Sequence, residues 1–406
     1  MSKTQKYSAD CAIIGGGVAG LACAVLLGQM DLDVHLVEPS PPEALDKTKS
    51  SGRTVALMQG SLNILRAAGL SEFIDQYGTE MQKMRIIDDS IAGQDPIVSE
   101  FDAFDIGLDY FGRNIPNSLL RAALYERVQR LSNVTIYTAA LHDFENGLIR
   151  LDDESEISSH LIIGADGRAS PVRAFANIGV RKKEYDQSAI TCIINHSRAH
   201  DFTSTEFHRD GGPFALVPMA GNQSSVVWVE KRARTDELMA LPRNAFIEHL
   251  QASTNDILGA VTLESDPLSW PLCSITTKSL IAPRIALIAE AAHVMSPITA
   301  QGLNLSLRDV ATLVEVIIDA LRLGQDYGSD AVLKQYEGRR KLDIKTRTLG
   351  VNGLNQIVSN DLIPVKDTRR LGLKVLNRFQ PLKNLAMQHG LAPTLDQGRL
   401  ARGESL

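Results

Sequence analysis

Residues 10–38, DCAIIGGGVAGLACAVLLGQMDLDVHLVE, form the stretch that decides the fold. The apolar run at 11–14 has the length and the boundaries of a buried parallel strand. Gly15, Gly17 and Gly20 follow it as G-x-G-x-x-G, and the apolar run after them has the length of a helix. The first glycine permits a tight turn, the second lets the backbone approach a pyrophosphate, and the third lets the helix pack on the strand.

An acidic residue completes this nucleotide-binding pattern. The start of the predicted helix offers free N–H groups and a positive dipole to an anion. A second strand at 34–37 ends at Glu38, where a carboxylate accepts hydrogen bonds from a ribose diol. Two alternatives are a signal peptide or membrane span over 11–28, and a glycine-rich turn without a ligand. The glycine spacing, the lack of an A-x-A site and the charged strand that follows argue against the first, and Glu38 argues against the second.

The composition excludes several classes of protein. The chain has 406 residues, 44% of them hydrophobic and 22% charged, which suits two domains or one large intertwined unit. A net charge of −6 argues against nucleic-acid binding. The four cysteines show neither a C-x-x-C pair nor metal-ligand spacing, so we expect a reducing compartment and no metal. Without an uninterrupted run of about 20 apolar residues, we expect no transmembrane helix. We expect a cytoplasmic location, and peripheral contact with the inner face of the cytoplasmic membrane stays open.

A second motif follows a buried strand at 161–163. Asp166 and Gly167 come at its carboxyl end, which is the edge where ligands bind in open α/β sheets. A plain turn is the alternative interpretation. The cations Arg168 and Arg173 close behind favour a site that handles anions.

The middle of the chain is predicted to consist mainly of short strands. Short strand-like runs at 84–108, and strands separated by turns over 187–270, predict a largely antiparallel layer that could roof a pocket. His196, His200 and His208 lack ligand spacing, so we expect them on the surface.

A third motif begins with a strand at 285–288 that runs into Glu290. Gln301 and Gly302 predict a turn, and residues 303–323 a long helix whose start again directs N–H groups at a ligand. From about residue 330 the pattern is mostly helical.

The three motifs together resemble a known family. They are G-x-G-x-x-G with Glu38, IGADG at 163–167, and AEAAH at 289–293 followed by AQGLN at 300–304. The set resembles the class A FAD-dependent aromatic hydroxylases, which have the para-hydroxybenzoate hydroxylase fold. RTVAL from Arg53 and GLNQIVSND at 353–361 resemble the ubiquinone-biosynthesis hydroxylase family within that class.

The resemblance implies an α/β fold in several chain segments. A Rossmann-like FAD-binding domain with a parallel sheet is intertwined with a mostly antiparallel substrate-binding sheet, and the C-terminus is helical. The implied segments are 1–75, 112–182 and 273–350 for the FAD-binding domain, 76–111 and 183–272 for the substrate domain, and 351–406 for the C-terminal helices.

The resemblance also implies the cofactor site. The residues that would hold or border FAD, some of them also meeting NAD(P)H, are Gly15, Gly17, Gly20, Glu38, Arg53, Asn117, Arg121, Asp166, Gly167, Glu290, Pro297, Ala300, Gln301, Gly302, Leu303 and Asn304. One departure stands out, because the family has Gly-Asp where this chain has Ala289-Glu290. The longer acid and the added methyl group predict a shifted geometry and weaker FAD affinity, with binding retained.

The implied activity is that of a monooxygenase. NAD(P)H would reduce FAD, O2 would add to give a C4a-hydroperoxyflavin, and the ring of a polyprenylated ubiquinone precursor would be hydroxylated. The sequence assigns no catalytic acid or base, and His293 is at least as well explained as a structural residue. The alternatives are a flavoprotein oxidoreductase of the same fold, acting on a soluble phenol, or a catalytically impaired FAD-binding accessory protein of quinone biosynthesis.

The expected partners follow from the lipophilic substrate. A membrane surface, a biosynthetic complex and a homo-oligomer all stay open. The cations of the C-terminal segment suggest contact with an anionic membrane surface, although a solvated helix face is an equally good interpretation; they are Lys366, Arg369, Arg370, Lys374, Arg378 and Lys383.

Overall fold

The structure is a computed structural model. It describes residues 6–42, 52–91, 93–145, 147–296, 301–359, 362–391 and 397–406. Of the predicted site residues, Pro297 and Ala300 lie outside the described residues, as do the last two positions of the stretch at 353–361.

Strands occur along the first three quarters of the chain. In chain order they are β1 (Lys6–Ile14), β2 (Val34–Val37), β3 (Thr54–Met58), β4 (Thr79–Met81), β5 (Lys83–Asp88), β6 (Ile97–Asp102), β7 (Gly112–Pro116), β8 (Val134–Tyr137), β9 (Leu141–Glu145), β10 (Leu148–Leu151), β11 (Glu156–Gly164), β12 (Val180–His196), β13 (Thr203–Arg209), β14 (Gly212–Met219), β15 (Gln223–Lys231), β16 (Val261–Leu263), β17 (Leu268–Thr277), β18 (Ile281–Ala282), β19 (Ile285–Leu287) and β20 (His293–Val294).

Helices connect these strands and form the C-terminal part. They are α1 (Val18–Gly28), α2 (Gln59–Ala67), α3 (Ser71–Tyr77), α4 (Asn117–Gln129), α5 (Pro171–Phe175), α6 (Arg232–Met239), α7 (Arg243–Ser253), α8 (Gln301–Arg322), α9 (Asp330–Val358), α10 (Ile363–Arg378), α11 (Gln380–Leu391) and α12 (Arg399–Arg402). Short 3-10 turns lie at Ala103–Ile106 and Ala289–Ala291.

A parallel sheet carries the nucleotide-type motifs. Its central order is β19-β11-β1-β2-β8, and all of these neighbours pair in parallel. The central strands are buried on both faces and share one hydrophobic core with α1 and α8, as expected for a parallel sheet. β1, β11 and β19 therefore end at the same edge, which brings all three predicted motifs together.

A largely antiparallel sheet stands opposite this edge. Within the described residues it has nine strands, in the order β20-β17-β12-β15-β14-β13-β5-β6 with β16 beside β12. β5 and β6 come from the early insertion and join through a parallel pairing of β5 with β13. The expected α/β architecture with a parallel sheet, an antiparallel sheet and a helical C-terminus is confirmed. The residue boundaries of the domains stay a prediction, and the small sheet β3-β7-β4 joins segments assigned to both.

The expectation that three histidines lie on the surface was wrong for two of them. His196 and His208 are buried, with only 6% and 4% of their surface exposed. His196 contacts the Arg198 carbonyl and the Ser224 hydroxyl, and His208 contacts the Glu206 carboxylate at 2.9 Å. Their neighbours on the twisted antiparallel sheet supply polar partners, and these make burial tolerable.

Half of the C-terminal cations point inward, contrary to the expectation of a basic surface. Lys366, Arg369 and Arg370 of α10 are buried against the β5–β6 side of the antiparallel sheet. Arg369 donates to the Asp88 carboxylate at 2.6 Å, and Arg370 donates to the Asp88 carbonyl at 2.9 Å. This helix therefore contacts the sheet through buried cations as well as through Leu373. No helix within the described ranges combines the length and the apolarity that crossing a bilayer requires.

Candidate active site

The glycine loop between β1 and α1 forms one wall of a cavity at the carboxyl edge of the parallel sheet. Gly15 has a φ of 108°, and a Cβ there would lie 2.4 Å from the Ala165 carbonyl oxygen. A Cβ on Gly20 would lie 1.9 Å from the Gly15 carbonyl oxygen, so helix and turn are in direct backbone contact. A Cβ on Gly17 would meet no atom within 4 Å. Gly15 and Gly20 are thus needed for packing, whereas Gly17 leaves space in front of the helix.

The start of α1 faces this space. No side chain caps the helix, and its first turn holds no acidic residue. Gly17, Val18, Ala19 and Gly20 line the cavity. An uncapped helix start presents backbone N–H groups and the positive end of the helix dipole, a combination that suits an anion.

Glu38 and Arg121 brace the glycine loop from behind. The Glu38 carboxylate accepts from the Gly16 N–H at 2.6 Å and from the Ser40 N–H at 2.8 Å. Arg121 donates to the Gly16 carbonyl at 2.8 Å and lies 3.4 Å from the Glu38 carboxylate. Asn117, at the start of α4, lines the cavity beside Arg121, and Glu38 does not.

In the Asp-Gly motif after β11, the aspartate has a structural role and the glycine lines the cavity. Asp166 accepts from the Ser170 hydroxyl at 2.6 Å and from the Val172 N–H at 2.9 Å, and so holds the start of α5. Burial raises the pKa of Asp166. Gly167, with a φ of 81°, lines the cavity instead.

The two cations behind that motif differ in their surroundings. Arg173 is buried, donates to the carbonyls of Ala291 and Arg168, and does not line the cavity. Its guanidinium supplies donors to backbone oxygens that would otherwise stay unpaired. The site that handles anions behind this motif stays a prediction. Arg168 stays exposed at the cavity, 3.8 Å from Glu290.

The turn after β19 is held by a buried carboxylate. Ala289 has a left-handed φ of 57°, and its N–H donates to Asp309 at 3.0 Å. The same Asp309 oxygen lies 2.6 Å from His293 Nε2, and its other oxygen accepts from Arg340 at 2.7 Å. Asp309 thus joins both ends of the turn that carries Glu290. Burial alone would raise the pKa of Asp309, but the attraction of His293 and Arg340 outweighs it and lowers that pKa.

The start of α8 mixes cavity-facing and structural residues. Gly302 and Leu303 line the cavity. Gln301 is buried and accepts from Arg347 at 3.2 Å. Asn304 accepts from a backbone N–H of β3 at 2.9 Å and donates to a β3 carbonyl at 2.8 Å. Gln301 and Gly302 belong to the first turn of the helix, not to a separate turn before it.

The opposite wall comes from the antiparallel sheet. Strands β12, β15 and β17 contribute Thr191, Val226, Val227, Trp270 and Leu272, and the cavity between the walls measures about 650 Å³. The Arg53 guanidinium lies over the Trp270 ring at 4.9 Å from its centroid, in cation–π geometry. An anion-binding wall therefore faces a mainly apolar one.

Comparison with known proteins agrees with this geometry. The model of the FAD binding domain family matches residues 8–348. Ubiquinone hydroxylase UbiL of Rhodospirillum rubrum is 34% identical over 98% of this chain and 94% of its own length. This chain is a class A flavin monooxygenase of the ubiquinone hydroxylase family. Among relatives of this hydroxylase, the 3-demethoxyubiquinol 3-hydroxylase of Escherichia coli is 29% identical over 94% of this chain and 98% of its own length.

Solved structures show the same fold. The crystal structure of P. aeruginosa PqsL in complex with 2-aminobenzoylacetate matches with a TM-score of 0.77 and 21% identity, covering 91% of the hydroxylase and 100% of PqsL. The p-nitrophenol 4-monooxygenase PnpA of Pseudomonas putida DLL-E4 also has a TM-score of 0.77, at 15% identity over 96% of the hydroxylase and 99% of PnpA.

The cavity of the hydroxylase has the features that FAD requires. Its volume lies within the roughly 300–1,000 Å³ typical of ligand sites. It combines an uncapped helix start for a diphosphate with an apolar wall for an aromatic ring system, and the Glu38 carboxylate lies against the glycine loop just outside the lining, where a ribose would reach it. The residues present therefore fit the cofactor.

Two features of the site were missed at the sequence level. Asp309 is one, and the only sign of it is a charged Arg308–Asp309 pair within an otherwise apolar stretch of α8. The other is Trp270, which the pattern placed at the end of the antiparallel segment without a role. Its contact with Arg53 joins positions far apart in the chain, and no local pattern predicts it.

Proposed function

We propose that this chain hydroxylates the aromatic ring of a polyprenylated ubiquinone precursor. The observation that carries the proposal is the 34% identity with a ubiquinone hydroxylase over nearly the full length of both chains. The cavity supports it, because an apolar wall faces the three motifs across a space large enough for a cofactor and a ring. FAD is the cofactor and NAD(P)H the reductant.

The first motif would hold the ADP half of FAD. Gly15 and Gly20 fix the turn, Gly17 leaves room for the pyrophosphate, and the first N–H groups of α1 would donate to it. The Glu38 carboxylate accepts two backbone hydrogen bonds, and its remaining lone pairs would accept from the ribose hydroxyls. Arg121 keeps the loop in place for both contacts.

The remaining predicted residues would follow the cofactor toward its ring. Arg53 and Asn117 line the cavity between the loop and the antiparallel sheet, and Glu290 and Gly167 lie across from them. Asp166 and Asn304 would act indirectly, because their side chains bond to protein. The other residues of α8 that would border the flavin are Gln301, Gly302 and Leu303, with Pro297 and Ala300 before them.

Bound FAD supplies the electrons and the oxygen activation that no side chain can provide. The chain positions the reacting ring and keeps water away from it. Val226, Val227 and Leu272 give the reacting ring an apolar surface, and Trp270 offers it an aromatic face. His293 lines the same cavity with its Nε2 atom held by Asp309, which fixes the orientation of its ring.

The domain boundaries and the location in the cell are part of this proposal as well. We place the FAD-binding domain in 1–75, 112–182 and 273–350, and the substrate domain in 76–111 and 183–272. Since a polyprenylated substrate resides in the bilayer, we place the protein in the cytoplasm with peripheral contact to the membrane, alone or in a biosynthetic complex.

The test combines cofactor binding with turnover. The purified protein should be yellow or take up FAD with a rise in thermal stability. NAD(P)H oxidation should increase when a short-chain prenylated phenol is added, and mass spectrometry should find the phenol with one more oxygen atom. A colourless protein with no thermal shift in FAD would contradict the cofactor assignment. Bound FAD without phenol-dependent oxidation or product would leave the accessory interpretation in place of the hydroxylase.

A further inference from the structure

Helix α10 buries three of its charged side chains. Lys366, Arg369 and Arg370 are all buried. Arg369 and Asp88 form an ion pair at 2.6 Å, with side chains 5% and 0% exposed. Burial alone would raise the pKa of Asp88, but hydrogen bonds from Arg369 and Ser90 outweigh it and lower that pKa. The ionic contacts fix α10 on the sheet and determine which of its faces turns outward.

The outward side of α10 and α11 carries six exposed apolar residues. Its α10 members recur at multiples of four residues, a spacing that places them on one side of a helix. Exposed fractions run from 38% to 67% across Ile363, Leu371, Val375, Phe379, Leu382 and Leu385. We call these six residues the outer apolar face. Single exposed leucines are common, but several exposed apolar residues on neighbouring turns indicate an interaction surface.

The segment beneath the two helices extends this surface. Val98 and Phe104 are exposed, at 45% and 61%. Asn377 donates to the Val98 carbonyl at 2.7 Å, and Gln380 donates to the Asp105 side chain at 3.0 Å, so both apolar residues adjoin the helices. Val98 and Phe104 therefore lie next to the outer apolar face and enlarge the exposed apolar surface.

The charges around the outer apolar face are mostly positive. Lys374 and Arg378 are exposed on α10, and Lys383 is half-buried on α11. Asp367 is the single acidic residue in the sequence from 362 to 391. Exposed leucines and phenylalanines with flanking cations are the composition of segments that lie in the interface of anionic bilayers.

We propose that the outer apolar face docks on the surface of a membrane that contains anionic lipids. Its apolar side chains enter the boundary between headgroups and acyl chains, and Lys374 and Arg378 meet lipid phosphates. The inference rests on the proposed function for its purpose, since docking would place the enzyme beside a bilayer-dissolved substrate. It narrows the sequence-level expectation, because Lys366, Arg369 and Arg370 are buried and only exposed cations and apolar residues form the contact.

Flotation with vesicles tests the proposal. The FAD-loaded full chain is mixed with vesicles of phosphatidylcholine alone or of phosphatidylcholine and phosphatidylglycerol in equal parts. We expect binding to both, stronger on the mixed vesicles. The triple variant Leu371→Gln, Val375→Gln, Phe379→Gln should reduce binding by about tenfold or more, because it removes most of the apolar transfer. Lys374→Glu with Arg378→Glu should remove the preference for phosphatidylglycerol.

A matched control comes from the same chain. Phe175, Val180 and Leu323 are also exposed and lie outside α10 and α11. The variant Leu323→Gln, Val180→Gln, Phe175→Gln has the same composition change and should bind vesicles like the parent. Thermal melts of all variants show whether each has folded.

Two results would overturn the proposal. One is a parent protein that binds neither vesicle type, and the other is a folded Leu371, Val375, Phe379 variant that binds as the parent does. Either result would rule out membrane docking through the outer apolar face. Turnover of a water-soluble phenol is measured on the same samples, so failure of docking and failure of the proposed function are read separately.

Discussion

Two turns at the same edge of the parallel sheet are held rigid in different ways. Each follows a parallel strand, each starts with a residue of positive φ, and each lines the cavity. The first turn uses Gly15, at a φ of 108°, crowded against the backbone of its neighbours. The second uses Ala289, at a φ of 57°, with its N–H bonded to the buried Asp309.

The difference concerns what makes each turn rigid. Around Gly15 the backbone of the loop, of α1 and of the segment after β11 leaves no room for a side chain. Around Ala289 rigidity comes from a buried ionic network, which is strong only while every member is paired. We therefore expect the turn at Gly15 to be disrupted by an added side chain, which would clash. We expect the turn at Ala289 to be disrupted by removal of the Asp309 charge.

Asp309→Asn should have the largest effect, a destabilisation of about 3–5 kcal/mol. The amide keeps one acceptor oxygen but turns an N–H₂ group toward the other donors, so a buried cation loses its partner. Urea denaturation measures the change in free energy of unfolding. Asp319→Asn on the same helix is the control, because its half-exposed pair with Arg399 should contribute about 1 kcal/mol or less.

The stability of Asp309→Asn should also depend on pH differently from that of the parent. Because the folded protein holds the pKa of Asp309 below its ordinary value, this carboxylate stabilises the fold above about pH 4, the pKa of an aspartate in an unfolded chain. That stabilisation is lost as the pH falls through the lower folded-state pKa. The parent should therefore lose stability on acidification more steeply than Asp309→Asn. Parallel acid limbs would mean that the network does not depend on this charge.

Gly20→Ala should have an intermediate effect, about 1–3 kcal/mol of destabilisation, because its Cβ would lie 1.9 Å from the Gly15 carbonyl oxygen. Gly17→Ala is the contrasting variant, since its Cβ has open space. It should change stability by less than about 1 kcal/mol and weaken FAD binding, because the methyl group projects where a pyrophosphate would sit. Denaturation and FAD titration separate the two. Equal stability losses would argue that crowding is not what distinguishes these glycines.

Ala289→Gly should have the smallest effect and the opposite sign. It removes a left-handed alanine and should leave stability unchanged or raise it by up to about 1 kcal/mol. Combined with Glu290→Asp, it should bind FAD at least as tightly as the parent, because the acid is shorter and the added methyl group is gone. Fluorescence titration with FAD provides the measurement. A clear loss of affinity would show that the surrounding backbone has adapted to Glu290.

Local pattern predicted the parts of the fold whose determinants are close in sequence. The strand at 34–37, the helix after the glycine loop and the position of Asp166 and Gly167 after a buried strand all follow from periodicity and glycine placement. The helix at residues 303–323 was predicted two residues late at its start.

The features that the local pattern did not predict share one cause, which is that their partners are distant in the sequence. Arg369 appears as one more cation in a basic segment, yet its partner Asp88 lies 281 positions away. Arg173 donates to Ala291 across 118 positions, and Asp309 gains its role only where α8 meets the turn after β19. No local pattern encodes which charge will be buried when its counterpart is that remote.

The pairing of β1 also bears on the time course of folding. β1 acquires β2 early, but its other neighbour is β11, with Lys6 opposite Glu156 and Ile14 opposite Gly164. At a synthesis rate of about 5–20 residues per second, that edge stays open for roughly 8–30 s on the ribosome. The strand that begins the nucleotide site is therefore an unpaired apolar edge in the nascent chain during that interval.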